Sequence, residues 1–211
     1  MRHRLLLLLL ASLAPARAAA QRAFGTGDRD AQQFDESFRK YTKRFFGVGF
    51  DWQVFKAQAM AESELDPQAH NHTGARGLMQ LMPSTFRQIQ SQNPDFQSID
   101  DPEWNIAAGI QYDRTLWNLW SDHEADPDRQ SFTFASYNAG RGTILRAQAV
   151  ARRDSLDHLK WASIEAVAPR VQRWRHQETL TYLRKIQLNH DSLAGTGPQG
   201  KSIAVRPGRR P

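Results

Sequence analysis

Ala61-Glu62-Ser63 closes an apolar stretch, and after an eleven-residue gap at 64–74 the chain reads Ala75-Arg76-Gly77-Leu78-Met79-Gln80-Leu81-Met82-Pro83. Sixty residues beyond Ala75 comes Ala135-Ser136-Tyr137-Asn138-Ala139-Gly140. Working outward from Glu62, the preceding Trp52, Phe55 and Ala59 recur at helical spacing, and Glu62 continues their stripe three residues further on. Asp51 is placed to cap that helix. A carboxylate on the apolar face of a helix end is costly to keep charged. The bland alternative is a solvated Glu near a helix end, and only the phase of the stripe argues against it.

The flanking punctuation is helical as well. Phe34, Phe38, Tyr41 and Phe45 fall on one face. Pro67 and Asn71-His72-Thr73-Gly74 mark a loop. Pro83 suits the first position of a helix running to about Ser91, and Asp101-Pro102 reads as cap and first position of another. Ile106, Ile110, Trp117 and Trp120 give that helix its apolar face. Asp126-Pro127 breaks the chain, a helix through Phe132 and Tyr137 ends near Gly140, a second begins near Thr143, and a long one covers about Arg173 to Asn189. No alternating strand pattern and no internal repeat is evident. The reading is a mainly α domain over residues 31–193.

The two ends have a different character. Arg2 and Arg4, the apolar run Leu5 to Ala14 and the small residues Ala16 to Ala20 have the form of a secretory signal cleaved near Ala20, too short to span a bilayer. Residues 21–30 read as a linker. Residues 194–211, rich in Gly, Pro and Arg, read as a disordered basic tail. These ends carry the excess of Lys and Arg. Residues 21–194 have a net charge of −1 against +6 for the whole chain. The basic pI is therefore no argument for nucleic-acid binding by the folded part. The absence of Cys excludes disulfides and is compatible with an exported, periplasmic protein. After signal removal no remaining segment has the length and apolarity of a membrane span.

Chemistry-bearing residues are few. Glu62, desolvated, would have a raised pKa and could act as a general acid near neutral pH. Ser63 could orient it or simply cap the helix end. Gly74 and Gly77 allow close backbone approach. Gln80 is an amide inside an apolar run and needs partners, for which a sugar hydroxyl or the Glu62 carboxyl are candidates. Leu78, Met79, Leu81 and Met82 could be plain core. Tyr137-Asn138 could be groove or ordinary helix-end chemistry. Glu178 and Tyr182 share a face of the last helix. His70 and His72 lack a third ligand, so no metal is expected.

In order and wording, these motifs resemble the lytic transglycosylases of the bacterial cell wall, which share a goose-lysozyme-like fold. The likeness rests on Glu62-Ser63, the strip from Gly74 to Pro83, Asn105 and Gly109, Ser136 to Gly140, and the late Glu178-Thr179 with Tyr182, and it covers roughly residues 34–190. The segment between Trp161 and Glu178 looks shortened relative to that family. The resemblance implies a lysozyme-like helical domain with a substrate groove. It makes Glu62 the catalytic acid and Ser63 the residue that holds it. It places Met79, Gln80, Tyr137, Asn138 and Tyr182 at the groove. It implies peptidoglycan glycan strands as substrate, with an envelope-spanning secretion or pilus assembly as a candidate partner, and no cofactor. The implied reaction cleaves the bond between N-acetylmuramic acid and N-acetylglucosamine without water. A goose-type hydrolase and a wall-remodelling accessory are the alternatives.

Overall fold

The computed structural model describes residues 32–121 and 126–195. The expected signal, most of the linker and nearly all of the basic tail lie outside them. From Asp35 the chain forms eight α-helices among the described residues: α1 (Asp35–Phe46), α2 (Gln53–Ser63), α3 (Pro83–Gln92), α4 (Pro102–Leu119), α5 (Asp126–Ala139), α6 (Arg141–Arg153), α7 (Trp161–Val167) and α8 (His176–Leu193), with a 3₁₀ turn at Ala168–Arg170. No strand occurs among them. The extended elements are two isolated antiparallel bridges, His70 with Arg76 and Arg76 with Leu81.

Local chemistry sets several helix ends. α1 begins with Asp35 and Glu36 and ends with Lys43 and Arg44, which complements the helix dipole at both ends. Gly47, at φ +95°, stops it by turning its N–H back to Lys43 O. Asp101 caps α4 as expected, accepting from the N–H groups of Glu103 and Trp104, with Pro102 in first position. At α2 the cap is weaker than expected. Of the α2 N–H groups Asp51 accepts from Gln53 N alone, at 2.9 Å, its other oxygen lying 2.6 Å from the His190 ring, and Trp52 is the formal cap with no side-chain bond. α5 opens at Asp126, after the residues that lie outside the description. The last long helix starts three residues later than expected and runs four further. The helix α7, at Trp161–Val167, was not evident from periodicity because it lasts barely two turns.

α2 is the central element. Val54, Phe55, Lys56, Ala57, Gln58 and Ala59 are all buried, so the helix is enclosed around its circumference. It packs on α1 and α8. Around its start, Phe46, Phe50, Phe55, Trp117 and Phe134 form an aromatic cluster with centroids 4.5–6.4 Å apart. The second half has its own core, built on Trp120, Phe132, Ile144, Trp161, Ile164 and Trp174. Phe38 and Tyr41 are buried as the α1 stripe requires, with Phe45 half-buried; Phe34 precedes the helix.

Two residues of α4, one turn apart, carry the strip that follows the loop. The Asn105 amide donates to Arg76 O (3.0 Å) and Ile99 O (2.9 Å), and its carbonyl accepts from Met79 N (2.8 Å). Gly109 lies under Met79, where a Cβ would meet Met79 Cγ at 2.6 Å. Asn105→Ala removes three bonds and leaves Met79 N–H buried and unpaired, so we expect a loss of about 2–4 kcal/mol in denaturant unfolding. A loss under about 0.5 kcal/mol would mean that the strip holds its shape without Asn105.

Candidate active site

Glu62 lies in the last turn of α2, and Glu64 (φ +57°) and Leu65 (φ +64°) then turn the chain away. Part of the Glu62 residue still reaches water, yet its carboxyl is densely surrounded by protein. Burial pushes its pKa up to about 7, and the nearby Tyr182 hydroxyl pulls in the opposite direction. The negative end of the α2 dipole acts with burial. The Tyr182 hydroxyl is buried and meets no acceptor at full hydrogen-bond geometry, although it sits close enough to act on Glu62. Such contacts commonly tighten only in the substrate complex. The acid and the phenol come from α2 and α8, which pack on each other.

The strip beside Glu62 is a tight backbone loop. Arg76 and Leu81 exchange N–H···O bonds at 3.0 Å each way, and Gln80 N donates to Gly77 O. Gly77 is at φ +72° with Asn105 against it; a Cβ there would lie 2.5 Å from Asn105 Nδ2, so only glycine fits. The Ser63 hydroxyl reaches Leu78 O at 2.8 Å, with Ala59 O a second acceptor at 3.2 Å. It therefore pins the end of α2 to the strip. The Gln80 amide donates to Ala69 O and Gly77 O, at 3.1 and 3.0 Å, which uses both its protons on backbone. Met79 is fully buried: its side chain packs on Gly109, and its backbone N–H and C=O bond Asn105 and Tyr137.

Tyr137 joins the same loop from α5. Its hydroxyl donates to Met79 O at 2.7 Å, and its ring lies against Tyr112 with centroids 5.3 Å apart. Asn138 is exposed and accepts from Thr179 Oγ1 at 2.9 Å; that hydroxyl in turn accepts from Trp174 Nε1. Asn138 thus ties the end of α5 to the start of α8. Glu178 is exposed and pairs with Arg175. Glu62, Tyr137 and Tyr182 act on one another electrostatically, and burial raises both phenol pKa values well above the ordinary range. Of the expected residues, Glu62 and Tyr182 lie together. Ser63 and Tyr137 bond the strip to which Met79 and Gln80 belong, and Asn138 joins α5 to α8.

The sequence reading missed Asp113. It lies on α4, is fully buried, and interacts with Glu62, Tyr137 and Tyr182. The signal was available: Asp113 follows Ile106 and Ile110 and precedes Trp117 at spacings of four, three and four. Gln58 is similarly an amide in the enclosed part of α2. A cavity of about 420 Å³, lined by Phe50, Val54, Trp117, Gln130 and His190 among others, lies at the far end of α2 and does not include Glu62. Glu62 lies instead beside the strip. Among the described residues no cluster of three or more His, Asp and Glu is arranged for a metal, and no helix is long and apolar enough to cross a membrane.

A family profile described as Transglycosylase SLT domain matches residues 38–159. The chain is 35% identical over 134 residues to the membrane-bound lytic murein transglycosylase F of Desulfosudis oleivorans, which covers 64% of this chain and 28% of that protein. It is 30% identical over 182 residues to the protein of the same name from Shewanella woodyi, covering 80% and 37%. It thus spans about a third of the length of these relatives. The crystal structure of the 70 kDa soluble lytic transglycosylase SLT70 from Escherichia coli superposes with a TM-score of 0.58 at 24% identity, over 91% of this chain and 30% of that one. The Pseudomonas aeruginosa lytic transglycosylase Slt gives 0.60 at 18% identity, over 82% and 26%. These two likenesses establish the lysozyme-like helical fold.

Two outcomes follow from the geometry. Tyr137→Phe removes the bond to Met79 O while leaving the ring, so unfolding stability should fall by about 1 kcal/mol and activity should fall with it. Unchanged stability would detach Tyr137 from the strip. Glu62 has a raised folded-state pKa, so its favourable contribution is complete below the ordinary carboxylate value and is lost as pH rises toward 7. Glu62→Gln cannot ionise. Its melting temperature should therefore exceed wild type at about pH 8, by an amount corresponding to at most ~3 kcal/mol, and should converge with it near pH 4. Parallel curves would mean that Glu62 titrates like a solvated acid.

Proposed function

Since the chain belongs to the family of transglycosylases with an SLT domain, we propose that it cleaves the β-1,4 bond between N-acetylmuramic acid and N-acetylglucosamine in peptidoglycan strands, closing a 1,6-anhydro ring. The observation that carries this reading is one reactive carboxyl at the wall of the strip, with the second carboxyl sealed away from water. Glu62, raised to about 7, is substantially protonated at neutral pH and can act as a general acid. Asp113, fully buried, cannot reach a water molecule or a sugar. A hydrolase of the two-carboxylate kind needs a second group placed to activate water or to attack.

Glu62 donates its proton to the leaving glycosidic oxygen as the bond to the anomeric carbon breaks. The substrate's 2-acetamido group stabilises that carbon. The C6 hydroxyl of the same sugar then attacks it, and Glu62, now ionised, takes the hydroxyl proton. Atoms and charge balance with no water consumed, and Glu62 ends protonated for the next turn. The attacking hydroxyl is tethered to the ring it closes, so its effective concentration can exceed that of bulk water. Tyr182, beside Glu62, stabilises the carboxylate in the interval between the two proton transfers.

The proposed site of action is the periplasm. The leader-like residues 1–20 and the relatives named as membrane-bound murein transglycosylases support an envelope location.

Purified murein sacculi digested in heavy-oxygen water should yield 1,6-anhydromuramyl ends without label. Reducing, labelled muramic acid as the main product would make the protein a goose-type hydrolase. Glu62→Gln should lower the rate by about 10²–10⁴-fold with the fold intact. Activity within a few fold of wild type would remove Glu62 from the reaction.

A further inference from the structure

Asp113 and Gln58 are fully buried and face each other from α4 and α2. Gln58 Nε2 donates to Asp113 Oδ1 at 3.4 Å, a long bond. Their two remaining oxygens, Asp113 Oδ2 and Gln58 Oε1, are buried and have no hydrogen-bond partner. An ionised carboxylate and an amide oxygen are both acceptors only, so neither can satisfy the other. A proton on Asp113 Oδ2 changes this. The hydroxyl donates to Gln58 Oε1 while the amide donates to Oδ1, and one proton satisfies two buried groups.

We propose that Asp113 and Gln58 form a carboxylic acid–carboxamide pair, closed by one proton, that keeps the second carboxyl of the site uncharged behind Glu62. The surroundings favour the neutral form. Among the described residues, the titratable groups that Asp113 interacts with are Glu62 on α2, Tyr112 on α4, Tyr137 on α5 and Tyr182 on α8, and none is a cation. Burial is the main influence holding its carboxyl well above the usual carboxylate range. The Gln58 bond opposes this, and any charge on Glu62 adds to it.

The pair acts through Glu62, and this role rests on the reading of Glu62 as the acid. Glu62 must pass from neutral to charged and back in each turnover. A fixed negative charge behind it would make its ionised form costlier and hold its proton too tightly for transfer. With Asp113 neutral, the two carboxyls carry at most one negative charge between them. Asp113 is therefore a positioning residue: it fixes the electrostatic setting of Glu62 and touches no substrate.

The test uses the full chain in a Glu62→Gln background, so that it does not depend on catalysis. Infrared spectra of Glu62→Gln should retain a protonated-carboxyl C=O band above about pH 7, where solvated carboxyls are ionised. The band should vanish when Asp113→Asn is added. A spectrum without such a band overturns the proposal and identifies Asp113 as charged, with its oxygens bonded some other way. Melting curves give a second reading. A carboxyl with a raised folded-state pKa contributes fully below about pH 4 and loses that contribution as pH rises, so the advantage of the double variant over Glu62→Gln should grow with pH. Parallel curves overturn the proposal. In the otherwise wild-type protein, Asp113→Asn should leave the alkaline limb of the pH–rate profile in place. A displacement to lower pH by more than about half a unit means a charge was removed beside Glu62, which also overturns it. If Asp113→Asn fails to fold, the joint replacement Asp113→Leu with Gln58→Leu removes both polar groups and serves in the infrared and melting measurements. A lytically active Glu62→Gln would defeat the catalytic reading while leaving these protonation results standing.

Discussion

The site depends on the enclosure of α2. A helix buried on one side can place polar residues on the other at little cost. α2 has no such side over Val54 to Ala59, so Gln58 must find a partner inside the protein and Glu62 must emerge where the enclosure ends. Desolvation there does not need a dedicated device. It follows from packing α8 along α2, from Leu193 beside Gln53 to Tyr182 beside the Glu62 carboxyl. Packing and acid–base chemistry are one constraint at this point of the fold.

The wall beside Glu62 obeys a second constraint. A loop that turns tightly enough to bring Gly77 and Gln80 together exposes backbone groups that must be satisfied. Three helices supply the partners: Ser63 from α2, Asn105 from α4 and Tyr137 from α5. The residues with a polar side chain near the acid are thus mostly occupied with peptide groups. Glu62 is left as the one carboxyl of the centre that borders solvent.

Much of this was legible in the order of residues, and the exceptions share a cause. The phase of Glu62 on the Phe55–Ala59 stripe indicated desolvation, and Asp101-Pro102 marked the start of α4, because both are local patterns. Ser63, Gln80 and Tyr137 were recognisable as belonging near the acid, but their bonds to Leu78 O, Ala69 O and Met79 O join segments 11 to 58 residues apart. No spacing rule encodes which backbone carbonyl a hydroxyl will meet. Asp113 was overlooked because α4 was read by its Ile and Trp residues alone. The periodicity that made Glu62 conspicuous applied equally to an acid between Ile110 and Trp117. α7 escaped because a seven-residue helix offers too few turns for a period to show.

The strip from Arg76 to Leu81 is irregular in shape, and an irregular surface segment ordinarily opens on its own, well below the free energy of global unfolding. Here release would break bonds to α2, α4 and α5 together and lift Met79 from its seat on Gly109. The segment is a loop in its geometry and a member of the core in its kinetics. Its Met79 amide hydrogen should exchange with solvent on the timescale of the helices that hold it. A surface segment built this way shares any load among three helices instead of letting it fall on one hinge.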